Sequence, residues 1–140
     1  MSSVCILSMD LTRYIQAARD AKEVGYQKYS DYSVGAVLVT TNGEVYKGSN
    51  IETATFDMCI HAERSAVDGA LTQGISPEKF NLMVISTEDQ NGEPPCGTCR
   101  QFLADFCSDE FSIYSDTGDI ENPAEYSLGE IFPHAFRPEL

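Results

Sequence analysis

Val34-Gly35-Ala36-Val37-Leu38-Val39-Thr40-Thr41-Asn42-Gly43-Glu44-Val45-Tyr46-Lys47-Gly48-Ser49-Asn50 is the stretch on which the fold turns. Val34 to Thr40 is continuously apolar apart from Gly35, which is the pattern of a strand covered on both faces. Asn42-Gly43 is a strong two-residue turn signal, so the chain comes back over Glu44 to Asn50 as the second arm of a hairpin. A sheet covered on both faces needs helices on both sides, and the flanking sequence supplies them. Upstream, Leu11, Tyr14, Ile15, Ala18, Ala21 and Val24 recur at helical spacing, with Asp10 as the expected cap and Gly25 as the stop. Downstream, a helix is expected from His61 to Gln73, burying Ala62, Ala66, Val67, Ala70 and Leu71, with Gly74 ending it. Leu82 to Ser86 follows as a buried strand. The polar segment Glu88 to Pro95, with two prolines and Asn91-Gly92, is a loop that delivers Cys96 to the start of a helix ending near Cys107. Phe111 to Tyr114 is a further strand, and Asp116 to Tyr126 has weak strand character at best. Ser127 with Glu130 three residues later marks a short capped helix before Pro133. Strands and helices alternate, so the expectation is an α/β chain with a mixed or partly parallel sheet between helices.

A length of 140 residues closes one hydrophobic core without disulfide staples, so residues 1–140 are expected to form a single domain. Twenty-two acidic side chains against 9 basic ones leave a net charge of -13, which repels phosphate backbones and anionic lipid heads. Neither nucleic acid nor a membrane is an expected partner. The apolar run Val4 to Leu7 is far shorter than a signal-peptide core or a spanning helix, so a cytoplasmic location is expected. Five cysteines, an odd number, with two of them spaced Cys-x-x-Cys, suit metal or redox chemistry better than a disulfide framework.

The chemistry concentrates in two short segments, His61-Ala62-Glu63 and Pro95-Cys96-Gly97-Thr98-Cys99, each at a helix start after a strand. Taken alone, each half has an ordinary reading. A Cys-x-x-Cys also serves as a redox pair or as half of a structural zinc site, and a histidine at a helix start is commonly a cap or a surface residue. Together they offer one imidazole, two thiols and one spare carboxylate. Three strong zinc ligands with a carboxylate nearby favour an open, catalytic site, because a structural zinc usually takes four protein ligands. Helix N-termini also carry positive partial charge, which favours thiolates there. Cys59, Cys5 and Cys107 are expected to be inert small fillers, and His134 a surface residue.

His-x-Glu followed by Pro-Cys-x-x-Cys is the signature of zinc-dependent deaminases, in which the glutamate moves protons and does not bind metal. The whole chain resembles the small, single-domain, homotetrameric cytidine deaminases. The resemblance runs through Tyr29-Ser30, Val34-Gly35-Ala36, Gly48-Ser49-Asn50-Ile51-Glu52, His61-Ala62-Glu63-Arg64 and Pro95-Cys96-Gly97-Thr98-Cys99-Arg100-Gln101. It continues into Gly129-Glu130-Ile131-Phe132-Pro133 and Ala135-Phe136. What it implies is a three-layer α/β/α fold around a central mixed sheet of about five strands. It further implies one Zn2+ per subunit on His61, Cys96 and Cys99, with Glu63 as the catalytic proton carrier. Asn50 and Glu52 would hold the ribose, the backbone at Ala54 and Phe56 would line the sugar end, and Tyr32 would pack near the base. Phe136 would reach a neighbouring subunit's pocket in a homotetramer whose active sites are completed by neighbours. By residue type alone, Tyr32 and Phe136 read as ordinary core packing. The implied reaction is hydrolysis of cytidine and deoxycytidine to uridine and deoxyuridine with release of ammonia, in pyrimidine salvage.

Three positions depart from the family pattern as it usually stands. His61 occupies a place that mostly carries Cys in the small tetrameric enzymes, where the following Arg, here Arg64, offsets three thiolates. Tyr32 replaces a common Phe, and its hydroxyl needs a partner if buried. Arg137 replaces a usual Gly. Rivals on the same fold would act on a base within a polynucleotide, on a deoxynucleotide, or on an aminopyrimidine antibiotic. The charge balance opposes the first, and the Asn50/Glu52 pair opposes the last. A catalytically silent zinc scaffold would have no use for the carboxylate of Glu63.

Overall fold

The computed structural model describes the backbone of residues 3–138 and the side chains of residues 10–138. In chain order the elements are α1 (Ser3–Ala21), β1 (Val34–Thr40), β2 (Val45–Ser49), α2 (Ala62–Thr72), β3 (Phe80–Thr87), α3 (Gly97–Ala104), β4 (Ser112–Ser115), β5 (Ala124–Ser127) and α4 (Leu128–Ile131). The five strands make one sheet in the order β2-β1-β3-β4-β5. β1 lies antiparallel to both β2 and β3, β3 and β4 run parallel, and β5 returns antiparallel to β4. The parallel pair is joined through α3, because parallel neighbours need a crossover and a helix covers the sheet while making it.

Alternate residues of the central strands feed two cores. On one face Val37, Val39, Leu82, Val84 and Tyr114 pack against Tyr14, Ile15 and Ala18 of α1. On the other, Ala36, Leu38, Met83, Ile85 and Ile113 pack against Ala62, Ala66, Val67 and Ala70 of α2, Leu103 of α3 and Leu128 of α4. Hence the three layers: one helix, the sheet, three helices. Burial on both sides explains why β1 shows no polar alternation. Gly48 in β2 lies directly under α2: a Cβ there would stand 2.3 Å from the Ala62 carbonyl oxygen and 2.4 Å from the Ala66 nitrogen. The first turn of α2 can therefore seat on the sheet only because this residue has no side chain.

Some local expectations shift. The first helix begins at Ser3, so Asp10 lies within it and is not its cap, and the helix ends at Ala21. Val24 consequently falls outside the apolar stripe and is 63% exposed. Leu71 is half-buried, packed at the edge of the α2 core. The weak stretch before Ser127 contains the edge strand β5, which pairs Tyr126 with Ile113 and Ala124 with Ser115. The Ser127/Glu130 capping box is formed, with the Ser127 amide donating to Glu130 Oε1 at 2.9 Å and the Glu130 amide to Ser127 Oγ at 3.2 Å. Cys5, expected as a filler, lies outside the residues whose side chains are described.

Candidate active site

His61 is the N-cap of α2 and Cys96 the N-cap of α3, and neither side chain caps its own helix. Both are left free to point away from the backbone. The Cys-x-x-Cys spacing puts Cys96 at the N-cap and Cys99 in the first turn of α3, and side chains at these two positions lie on the same side of a helix start. The two helix starts converge. His61 Nδ1 stands 3.4 Å from Cys96 Sγ and 3.2 Å from Cys99 Sγ. All three potential ligand atoms lie within 4.8 Å of one another. Tetrahedral zinc, with metal–sulfur near 2.3 Å and metal–nitrogen near 2.0 Å, requires a sulfur-to-nitrogen separation of about 3.5 Å. The trio therefore fits the metal in donor type and in spacing. Burial pushes the Cys99 thiol well above its ordinary range, and the neighbouring Glu63 and Cys96 push it the same way. Two thiolates beside a carboxylate need a cation to hold them, and a divalent metal meets that need.

Glu63, in the first turn of α2, is only 5% exposed. Burial raises its carboxyl above the usual carboxylate range, and its own backbone amide, His61 and Cys99 oppose that rise without cancelling it. Glu63 and Cys99 each shift the other's protonation, so the acid lies beside the ligand trio without belonging to it. A buried carboxyl at the edge of a metal site is placed to take up and return protons there.

A cavity of 310 Å³ opens against this cluster. Its walls include Tyr32, Asn50, Glu52, His61, Glu63 and Cys96. The residues come together because the N-terminal end of β1 and the C-terminal end of β3 meet at one rim, with Val34 paired to Thr87. Asn50 is wired into that rim: its Nδ2 donates to the Tyr32 carbonyl at 2.8 Å, and its Oδ1 accepts from the Val34 amide at 3.0 Å and from Gln27 Nε2 at 3.2 Å. Glu52 accepts from the Tyr29 and Ser30 amides at 3.0 and 2.9 Å and from the Ser30 hydroxyl. Those bonds, led by the Ser30 hydroxyl, hold its carboxyl below the ordinary range. The Tyr32 hydroxyl donates to Asp89 Oδ2 at 3.1 Å, which supplies the partner its extra oxygen requires.

The remaining candidates sit elsewhere. Ala54 lies on an exposed turn outside the cavity wall. Phe56 is 73% exposed and edge-on to Tyr29, bordering a second cavity of 280 Å³ behind His61 and Cys99. Phe136 is 69% exposed and does not reach the cavity of its own chain. Arg64 borders the second cavity too, with its guanidinium 3.6 Å from Asp68 and 5.6 Å from the Phe102 ring centre. Cys59 is half-buried, not a core filler; its sulfur accepts from the Thr53 amide at 3.4 Å and stands outside the ligand trio. Cys107 is buried, and burial pushes its thiol up to about 12. His134 is exposed. Arg137 caps the end of α3, donating to the Ala104 and Cys107 carbonyls at 2.9 and 3.1 Å and pairing with Asp109 at 2.9 Å.

Sequence reasoning missed the wall made by Glu93, Pro94 and Pro95, and also Thr87, Ile60 and the supporting roles of Gln27 and Asp89. The Pro-Pro step immediately before Cys96 was the available signal for the first of these, since a rigid segment leading into a ligand has to pass beside it.

Residues 8–115 match the model of the family described as "Cytidine and deoxycytidylate deaminase zinc-binding region". A cytidine deaminase of Sporosarcina psychrophila is 34% identical over 133 residues, covering 94% of this chain and 94% of the relative. One of Halalkalibacterium halodurans is also 34% identical, over 94% of this chain and 97% of its own. Among solved structures, the cytidine deaminase of Burkholderia pseudomallei superposes with a TM-score of 0.82 at 35% identity, over 89% of this chain and 97% of that one. The matched span takes in both helix starts and everything they bring together at the rim of the sheet, and the chain belongs to the zinc-binding cytidine and deoxycytidylate deaminase family.

Proposed function

We propose that this protein hydrolyses the exocyclic amine of cytidine and deoxycytidine, giving uridine and deoxyuridine with release of ammonia. The observation that carries the reading is the position of Glu63, buried against His61 and Cys99 and facing the cavity walled by Asn50 and Glu52. His61, Cys96 and Cys99 would hold one Zn2+ per subunit, and the metal, when bound, lowers the pKa of water to about 7. Glu63 takes a proton from the attacking water and delivers it to ring N3 as the new C4–O bond forms. It then carries a second proton to the amine as the C4–N bond breaks, so that one water is consumed per ammonia released.

The other residues bind and orient. Asn50 uses both Oδ1 acceptor positions within the chain and keeps one Nδ2 hydrogen for a sugar hydroxyl. Glu52, ionised and pinned by two backbone amides, accepts hydroxyl hydrogens and repels a phosphate in the same place. Tyr32 faces the base. Phe136 enters the cavity of another copy, a role supported by its exposure outside its own. Exposed Phe56, Met58 and Phe136 together fit an active homotetramer. Residues 1–140 then act as one catalytic domain on a small nucleoside, with no nucleic-acid or membrane partner, in cytoplasmic pyrimidine salvage. No described helix is long and apolar enough to cross a membrane.

An absorbance assay of the purified protein with cytidine, deoxycytidine, deoxycytidylate and cytosine tests this. Both nucleosides should be turned over, with the monophosphate and the free base poor. Comparable kcat/KM for deoxycytidine and its 5′-monophosphate would move the enzyme to the nucleotide branch and overturn the reading.

A further inference from the structure

The loop between β3 and α3 forms the cavity wall at Glu93, Pro94 and Pro95 and ends on Cys96. Its backbone is bent: Gln90 has φ 49° and Gly92 φ 72°. A non-glycine residue in the left-handed region persists only when its surroundings hold it there. They do so from one sheet edge. The Ser115 hydroxyl of β4 donates to the Glu93 carbonyl at 2.6 Å, and the Tyr126 hydroxyl of β5 donates to the Gly92 carbonyl at 2.6 Å. The Gly92 amide donates to the Asp116 carbonyl at 3.0 Å, and Gln90 Nε2 to the buried Asp116 carboxylate at 3.1 Å. At the last residue of the wall a different side chain takes over: Arg100 Nε donates to the Pro95 carbonyl at 2.7 Å and fixes the approach to Cys96 from within α3.

We infer that Ser115 and Tyr126 are positioning residues that set the Glu93–Pro94 wall against the bound nucleoside, while the metal ligands are placed without them. Neither hydroxyl reaches the cavity, and both grip the two peptide carbonyls immediately before Pro94. Proline contributes no backbone donor, so this part of the wall cannot anchor itself through its own amides and depends on the neighbouring peptides being held. The two halves of the loop thus have separate anchors: β4 and β5 hold the substrate wall, and α3 holds the ligand.

The inference rests on the nucleoside reading above, and the experiment separates the two. Ser115→Ala and Tyr126→Phe each delete a single oxygen, and Ser115→Thr keeps the hydroxyl. For full-length zinc-loaded protein, KM for cytidine should rise about five- to tenfold in each deletion variant, as for one lost hydrogen bond that positions substrate. The kcat and the zinc content should stay near wild type, and Ser115→Thr should recover the wild-type KM. Hydrogen exchange needs no substrate: peptides covering 88–96 should lose protection in the deletion variants while α2 and α3 keep theirs. Wild-type protein inactive on every nucleoside would sink the functional reading alone, with loop exchange still deciding the clamp. Unchanged loop exchange, unchanged KM, or loss of zinc in parallel with kcat would each overturn the inference.

Discussion

Gly48→Ala is the substitution that most directly tests how the sheet seats α2, which carries Glu63. The added methyl would stand 2.3 Å from the Ala62 carbonyl oxygen and 2.4 Å from the Ala66 nitrogen, both of them backbone atoms of α2. Neither can swing aside as a long side chain could. Ordinary carbon contact begins near 3.4 Å, so α2 has to lift from β2 by about 1 Å. Overpacking of this kind costs about 1–3 kcal/mol. In a chain of this size that corresponds to a fall in Tm of roughly 3–10 °C. The lift falls on the turn that begins at His61 and contains Glu63. A misplacement of about 1 Å at reacting groups can cost on the order of a hundredfold in rate.

Calorimetry, zinc analysis and steady-state rates on purified Gly48→Ala should therefore show lowered Tm and a loss of kcat larger than the loss of stability explains. Gly43→Ala is the control. Gly43, unlike Gly48, has a positive φ, at 83°, and a Cβ there meets nothing within 4 Å. It should lose about 1 kcal/mol through backbone strain alone and keep full kcat. Full activity and an unchanged Tm in Gly48→Ala would refute the argument that α2 is seated by this contact.

Glu63→Gln should retain zinc, because Glu63 is not among the ligand trio, and should lose about 10²–10⁴-fold or more in kcat; equal metal with near-normal turnover would remove its assigned role. Cys99→Ala should lose zinc and folded yield while Cys59→Ala keeps both, and the opposite pattern in metal analysis would replace the ligand set. The fully covered Asp116 carboxyl would be raised by burial, but hydrogen bonds from Arg19, the Gly118 amide and Ser86 bring it down to about 2. Its folded pKa lies below the unfolded value, so it contributes stability above pH 4 that disappears as pH falls toward 2; Asp116→Asn should flatten that acid limb, by about 1–2 kcal/mol, in urea titrations across the window. Light scattering at assay concentration should give about four times the 15.4 kDa of one chain, and a fully active species at the single-chain mass would contradict the tetramer.

The hairpin and the two helix starts were legible in the sequence because each is a local matter. An unbroken apolar run with Asn42-Gly43 behind it can be little else than a covered strand and its turn, and a Cys at an N-cap with another three residues on necessarily shares one side of a helix start. β5 was harder to read. It is an edge strand of four residues, half-buried at best, and its membership in the sheet follows from pairing with β4 and not from any pattern of its own. The start of α1 misled for a related reason: Asp10 has the chemistry of a cap, but helical residues continue upstream of it, and a side chain's aptitude for capping does not decide where the backbone begins to coil. The rim of the cavity was legible only in its named residues. Gln27 reaching Asn50 and Tyr32 reaching Asp89 span 23 and 57 positions, and nothing in a one-dimensional pattern couples such pairs.

The replacement at position 61 shows how far residue chemistry alone could go. Three thiolates on a divalent ion leave an excess negative charge that a neighbouring arginine can offset, whereas two thiolates and a neutral imidazole cancel it. A chain that would hold the metal on His61, Cys96 and Cys99 has no such excess to offset. In the structure the Arg64 guanidinium lies beside Asp68 and over the Phe102 ring, occupied on the surface of α2 and α3. Glu63 stands beside the trio as an additional acid, and its burial acts against ionisation with only the partial opposition of its own amide, His61 and Cys99. If His61, Cys96 and Cys99 hold the metal as proposed, Arg64 has no ligand charge to offset, which accords with its contacts to Asp68 and the Phe102 ring in place of the trio.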